Sequence, residues 1–209
     1  MSPKRKGLFI GIIIGGVLVI VGEIGLITAY AYISDYRAMT APEAKLKPID
    51  IPTDTPIDYN YTFKTADGKE LPLESLRGKT IVLSIWRSGC TKCWTALPSL
   101  ERLYQKTKDM NVAFVSVALG KNEEEVAEKI AHFNVTFPVY READSLSAAF
   151  PKLLATTSAP TVYVIKPDGA IAFKHAGAAI WDAPAALALI EKLSDAGETE
   201  STPESSQNS

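Results

Sequence analysis

The first apolar pattern in the chain is a run without periodicity, Gly7 to Ile33, broken only by Glu23 and Thr28. As a helix it is long enough to cross ~30 Å of hydrocarbon. It exceeds the ~7–15 apolar residues of a signal-peptide core. Lys4, Arg5 and Lys6 precede it, so residues 1–6 are expected to stay in the cytoplasm and everything beyond the span to lie outside. Ala29-Tyr-Ala31 resembles a signal-peptidase site, but the length of the run favours an uncleaved signal anchor over residues 7–33. Gly7, Gly11 and Gly15 recur every four residues, a spacing that lets two membrane helices approach. Dimerisation is the expectation this raises, set against the general abundance of glycine in membrane helices.

The apolar pattern then stops. Residues 34–57 carry Pro42, Pro48, Pro52 and Pro56 among polar positions, which predicts an extended, semi-rigid linker. Residues 196–209 are polar and acidic with no large apolar side chain, the composition of a disordered tail. The stretch between them, 58–195, is about 140 residues, enough for a single packed core.

Within that domain the period switches repeatedly. Tyr61-Thr-Phe63 alternates, Ala66-Asp-Gly-Lys69 turns and Leu71-Pro-Leu73 returns, which reads as a hairpin. Ile81–Trp86 and Val112–Val117 are continuous apolar runs, as expected of strands buried on both faces. Trp94–Lys106 between them is helical in pattern, with Pro98 expected to kink it. Glu123–Phe133 places Val126, Ile130 and Phe133 on one helical face. A short strand over Phe137–Tyr140, a helix over Asp144–Leu154, strands over Pro160–Ile165 and Ala170–His175 and a helix over Asp182–Leu193 complete the prediction. This alternation predicts an α/β fold, a mixed central sheet with helices on both faces.

Charge narrows the partners. Twenty-two basic against 24 acidic residues leave a net charge of −2, which argues against nucleic acid.

The candidate chemistry lies in Trp86-Arg-Ser-Gly-Cys90-Thr-Lys-Cys93, which holds both cysteines of the chain. A C-x-x-C at a strand-to-helix junction puts its first sulfur at a helix N-terminus, where backbone N–H groups and the macrodipole favour the thiolate. The second sulfur lies one turn in, within reach of a mixed disulfide on the first. A structural staple over so short a loop restrains the unfolded chain little. Zinc wants four ligands, and His132 and His175 are isolated. The reading is a redox-active pair, with no metal and no cofactor beyond the disulfide itself.

The chain closely resembles the extracytoplasmic, membrane-anchored thioredoxin-like proteins of the TlpA/ResA group. The resemblance rests on an ordered set: Asp67-Gly-Lys69, Arg77-Gly-Lys79, the strand ending in Trp86, Cys90-x-x-Cys93, Pro98, the strand 112–117, the helix inserted before Phe137-Pro138, Ala159-Pro-Thr161 and Pro167-Asp-Gly169. It implies a thioredoxin-like fold with an N-terminal β-hairpin and an inserted helix, preceded by one transmembrane helix. It also implies a cis proline at Pro160 facing the two sulfurs.

The implied activity is thiol–disulfide oxidoreduction. Cys90 and Cys93 are catalytic, Ala159, Pro160 and Thr161 hold the substrate backbone, and Trp86 and Trp94 shape a docking surface. Exported proteins with disulfides, such as apocytochrome c or a copper-site assembly protein, are the implied substrates. A membrane thiol carrier is the implied electron donor, and the bacterial cytoplasmic membrane, facing the periplasm, the location. Two departures stand out. Lys92 replaces the usual proline before the second cysteine, and Ala96 stands where many members have a glutamate. Lys92 and Arg87 are therefore candidates for lowering a thiol pKa, and Glu142 and Asp144 for supplying the missing acid. Two other classes remain open: a Cu(I)-handling module, since two close thiolates suit that ion, and a binding scaffold without redox turnover.

Overall fold

The computed structural model describes residues 22–29, 55–120, 122–142 and 146–200. The chain divides into two units, residues 1–40 and 41–209. In the first, residues 22–29 are helical. Among the described residues no helix is long and apolar enough to cross a membrane. Most of the predicted span, with Gly7, Gly11 and Gly15, lies outside them, as does most of the linker.

The second unit opens with a two-stranded antiparallel hairpin, β1 (Thr62–Lys64) and β2 (Glu70–Pro72). The main sheet has five strands: β3 (Thr80–Arg87), β4 (Val112–Leu119), β5 (Val139–Glu142), β6 (Thr161–Ile165) and β7 (Ile171–Ala176). Their order is β5-β4-β3-β6-β7. β3 runs parallel to β4, and β4 to β5, while β6 is antiparallel to both β3 and β7. The central strand β3 is buried from Thr80 to Trp86, which explains its apolar pattern, interrupted only by the buried Ser84.

Alternation along β3 divides the core. Val82 and Trp86 face a cluster shared with helix α1 (Thr91–Thr107), helix α2 (Glu123–His132) and helix α3 (Pro184–Glu200). Ile81, Leu83 and Ile85 face a second cluster with Phe63, Leu73, Phe150 and Leu154. This corrects the expected arrangement. All three α-helices contribute to one core, and the opposite face is covered by the hairpin, by short 3-10 turns and by the 146–154 segment. The helix predicted over Asp144–Leu154 is absent from its described part, where only Lys152–Leu154 forms a 3-10 turn. Pro151 has no N–H to continue an α-helix and restricts Phe150 before it.

Helix boundaries follow local chemistry. Pro98 sits inside α1 without ending it. Cys93, Leu97, Leu100 and Leu103 form the buried stripe that holds the helix down on the sheet. Asn122 caps α2 by accepting from the Glu125 N–H at 3.2 Å. Asn134, in the left-handed region at φ 49°, closes it. The last helix runs on to Glu200, so the predicted domain end at 195 falls inside it. A glycine makes this possible: Gly197 is buried against Pro167, Gly78 and Asn111.

Candidate active site

Cys90 is the N-cap of α1, in extended conformation, and its Sγ accepts from the Cys93 N–H at 3.3 Å. The two cysteines form a disulfide with Cα atoms 5.2 Å apart. They are not equivalent. Cys93 is fully buried in the core shared with α1, while Cys90 is partly exposed. Gly89 before it is exposed and presents no side chain over the sulfur. The partly exposed cysteine thus caps the helix and the buried one waits behind it in the first turn, the order that attack and resolution require.

A second loop faces the pair. The Ala159–Pro160 bond is cis, the isomer that the resemblance implies. The Ala159 carbonyl oxygen lies 3.6 Å from Cys90 Sγ. The loop is held from behind. The Pro160 carbonyl accepts from the Gly177 N–H at 2.8 Å, and the Thr161 hydroxyl donates to the Ser158 carbonyl at 2.8 Å. Ala159 is the partly exposed member, Pro160 is buried, and Thr161 is buried completely. The side chain of Thr161 therefore braces the loop and offers nothing to a substrate.

The two tryptophans part company. Trp86 is 1% exposed, and its indole donates to the Ser116 hydroxyl at 3.0 Å. It is a core residue, which corrects its expected place on a docking surface: β3 alternation turns it inward, beneath α1. Trp94 is half-buried beside the pair. Its indole donates to the Ser88 carbonyl at 2.7 Å, and the Lys129 ammonium sits 4.5 Å from its ring centroid. Lys92 is exposed on the first turn of α1 and Arg87 half-buried at the end of β3.

Of the acids considered from sequence, Glu142 lies on β5 opposite Leu119 and pairs with the Tyr61 hydroxyl. Burial raises its pKa. One strand, β4, lies between it and β3, and its carboxylate is held by Tyr61 against the core cluster opposite the one that buries Cys93, so it does not replace the missing glutamate; Asp144 lies outside the described residues. The acid that does reach the loop is Glu125, from α2. Its carboxylate accepts from the buried Ser88 hydroxyl at 2.9 Å. In sequence it reads as one of three glutamates complementing the helix dipole, and nothing local singles it out. His175 stacks on Phe173 and meets Trp181 edge-on, and burial lowers its pKa. Among the described residues no three His, Cys, Asp or Glu side chains group to hold a metal.

A mixed five-stranded sheet, a C-x-x-C opening the helix after its central strand, and a cis proline against the first sulfur define a thioredoxin-like protein with an oxidised active-site disulfide. The chain belongs to the Redoxin family, whose model matches residues 38–190. It is similar to the thiol-disulfide oxidoreductase ResA of Oceanobacillus iheyensis, 31% identical over 105 residues, which are 50% of this chain and 53% of that protein. The match thus spans about half the length of that relative. Two solved structures share the fold. One is a secreted Mycobacterium tuberculosis disulfide oxidoreductase homologous to Escherichia coli DsbE (22% identity, TM-score 0.52, covering 68% of this chain and 96% of that one). The other is a thiol:disulfide interchange protein of Chlorobium tepidum (20% identity, TM-score 0.55, covering 70% and 99%).

Proposed function

We propose that this chain is a membrane-tethered, extracytoplasmic thiol–disulfide oxidoreductase that reduces disulfides of exported proteins. The observation that carries the reading is the asymmetric pair: a partly exposed Cys90 sulfur capping α1 beside the cis Ala159–Pro160 bond, with Cys93 buried behind it. In the reduced protein the Cys90 thiolate attacks one sulfur of a substrate disulfide, and the other substrate sulfur leaves as a thiolate and takes a proton. Cys93 is deprotonated and attacks Cys90 Sγ, which releases the second substrate sulfur. Two electrons have then passed to the substrate, and Cys90–Cys93 is the disulfide seen here. A membrane thiol donor restores the dithiol by the same exchange in reverse. The main chain of Ala159, a residue partly exposed beside Cys90, pairs with an extended substrate segment. Cysteines of apocytochrome c haem-attachment motifs, or of a copper-site assembly protein, are the substrate classes proposed, on the resemblance of the sequence to the TlpA/ResA group. The N-terminal apolar run supports the tether.

The test is the Cys90–Cys93 reduction potential of the full chain, equilibrated in detergent with defined thiol–disulfide buffers. A value near roughly −270 mV supports a reductant, and one near roughly −120 mV reverses the direction to disulfide donor. Absence of a reversible couple sinks the oxidoreductase reading.

A further inference from the structure

The loop before Cys90 is gripped from α2, an element about thirty residues downstream. Ser88 is 4% exposed and donates to Glu125 Oε2 at 2.9 Å. The other carboxylate oxygen, Oε1, lies 3.7 Å from where a Gly89 side chain would begin. Gly120 closes the back of the contact. It sits at φ +144°, and a Cβ there would stand 3.0 Å from Ser88 Oγ. One turn along α2, Lys129 covers the face of Trp94, whose indole in turn holds the Ser88 carbonyl. Two side chains of α2 thus bracket the residue pair that leads into the exposed cysteine, and one brings a negative charge to its immediate neighbour.

We propose that Glu125 sets the thiol–thiolate balance of Cys90, as an anionic positioning residue pinned to the redox loop by Ser88. A carboxylate held there disfavours the thiolate and so opposes the helix macrodipole. The thiol pKa rises, and the reduced state loses the stabilisation that an unopposed thiolate brings, which makes the pair a stronger reductant. The other charges round the loop are Arg87 on its own strand, exposed Lys92 on α1, and Lys129, whose ammonium is shared between the Trp94 ring and Glu128. The facing loop, Thr156 to Pro160, brings no ionisable side chain, and His175 of β7 is packed between Phe173 and Trp181. Glu125 is therefore the anion that the fold delivers to this loop among the described residues. Its anchor does not involve the sulfurs, so it persists when the disulfide opens.

This inference rests on the oxidoreductase reading, but its test does not need turnover. The full chain is reduced chemically, and the pH dependence of Cys90 alkylation by iodoacetamide is followed for the parent, Glu125→Gln and Glu123→Gln. Glu125→Gln keeps an oxygen for the Ser88 hydroxyl and removes the charge. Glu123→Gln removes the same charge from the same helix turn, where the carboxylate faces Arg141 and makes no hydrogen bond to Ser88. The expected result is a lower midpoint for Glu125→Gln, with alkylation below the midpoint about threefold to tenfold faster, and an unchanged profile for Glu123→Gln. A reduction potential that becomes less negative in Glu125→Gln alone supports the same conclusion. Superimposable profiles for parent and Glu125→Gln, or equal shifts in both variants, overturn it. Failure of the oxidoreductase reading shows separately, as loss of a reversible couple in the parent.

Discussion

Exposure supports the division of roles that the motif's place at a helix N-terminus leads one to expect of the two cysteines. Cys90 is open at the helix N-cap and Cys93 is fully buried, so only Cys90 is placed to take a bulky disulfide. Cys93→Ser is therefore expected to accumulate a mixed disulfide between Cys90 and a substrate, visible on non-reducing gels after alkylation quenching. Cys90→Ser is expected to form none and to lose turnover. A mixed disulfide through Cys93 in the latter would reverse the assignment. The cysteine pair was legible because its chemistry depends on residue type and short spacing; the proline opposite, far along the chain, was legible only through the family resemblance. Trp86 was not. Its neighbourhood in sequence placed it beside Cys90, but strand alternation turned it into the core, where Ser116, thirty residues away, satisfies its N–H.

Helices α1 and α3 depend on contacts that no local pattern announces. Arg102 on α1 makes a two-point pair with Asp182 at 2.8 and 2.9 Å, just before α3, and Lys106 adds its charge. Burial pushes the Asp182 carboxyl up, but the hydrogen bonds and charge of Arg102 outweigh it and hold the group below the usual carboxylate range. A depressed carboxylate pKa contributes stability that is complete above the unfolded value and is lost as pH falls through the folded one. Asp182→Asn is expected to cost about 1 kcal/mol at neutral pH. The gap to the parent should begin to narrow below roughly pH 4 and close as the pH falls through the depressed folded value, as read by urea unfolding across that range. A gap that stays constant with pH would exclude the charge as its source.

At the far end of α3, an added Cβ at Gly197 would lie 2.8 Å from Pro167 Cγ and 2.9 Å from the Gly78 carbonyl oxygen. Gly197→Ala improves helix propensity by about 1 kcal/mol, yet overpacking against a backbone carbonyl costs about 1–3 kcal/mol. A net loss of stability is expected in thermal unfolding, and a gain would place the helix end elsewhere.

For the whole molecule, the apolar run and the redox domain are expected to be separable. Residues 1–40 and 41–209 form distinct compact units. Deleting residues 1–33 is expected to move the chain from the membrane fraction to the soluble fraction and to leave the Cys90–Cys93 potential unchanged. Retention in the membrane would refute the proposed anchor. A shifted potential would show that the span acts on the site.

What the sequence determined by itself was whatever short-range periodicity or residue chemistry dictates. The near-continuous apolar runs became β3 and β4, the Asp67-Gly68 turn became a hairpin, and the C-x-x-C opened a helix; the cis proline beside it was implied by the family resemblance. What only the tertiary structure decided was which side each element lies on and what it meets there. The three α-helices share one face of the sheet. The 146–154 segment covers the other with a tight turn and a short 3-10 turn, since Pro151 denies it an α-helix. The acid at the redox loop comes from α2, because the crossover from β4 lays that helix beside the strand end carrying Ser88. Such contacts join residues far apart in the chain. They are set by packing, and the local sequence carries no record of which side chain will arrive.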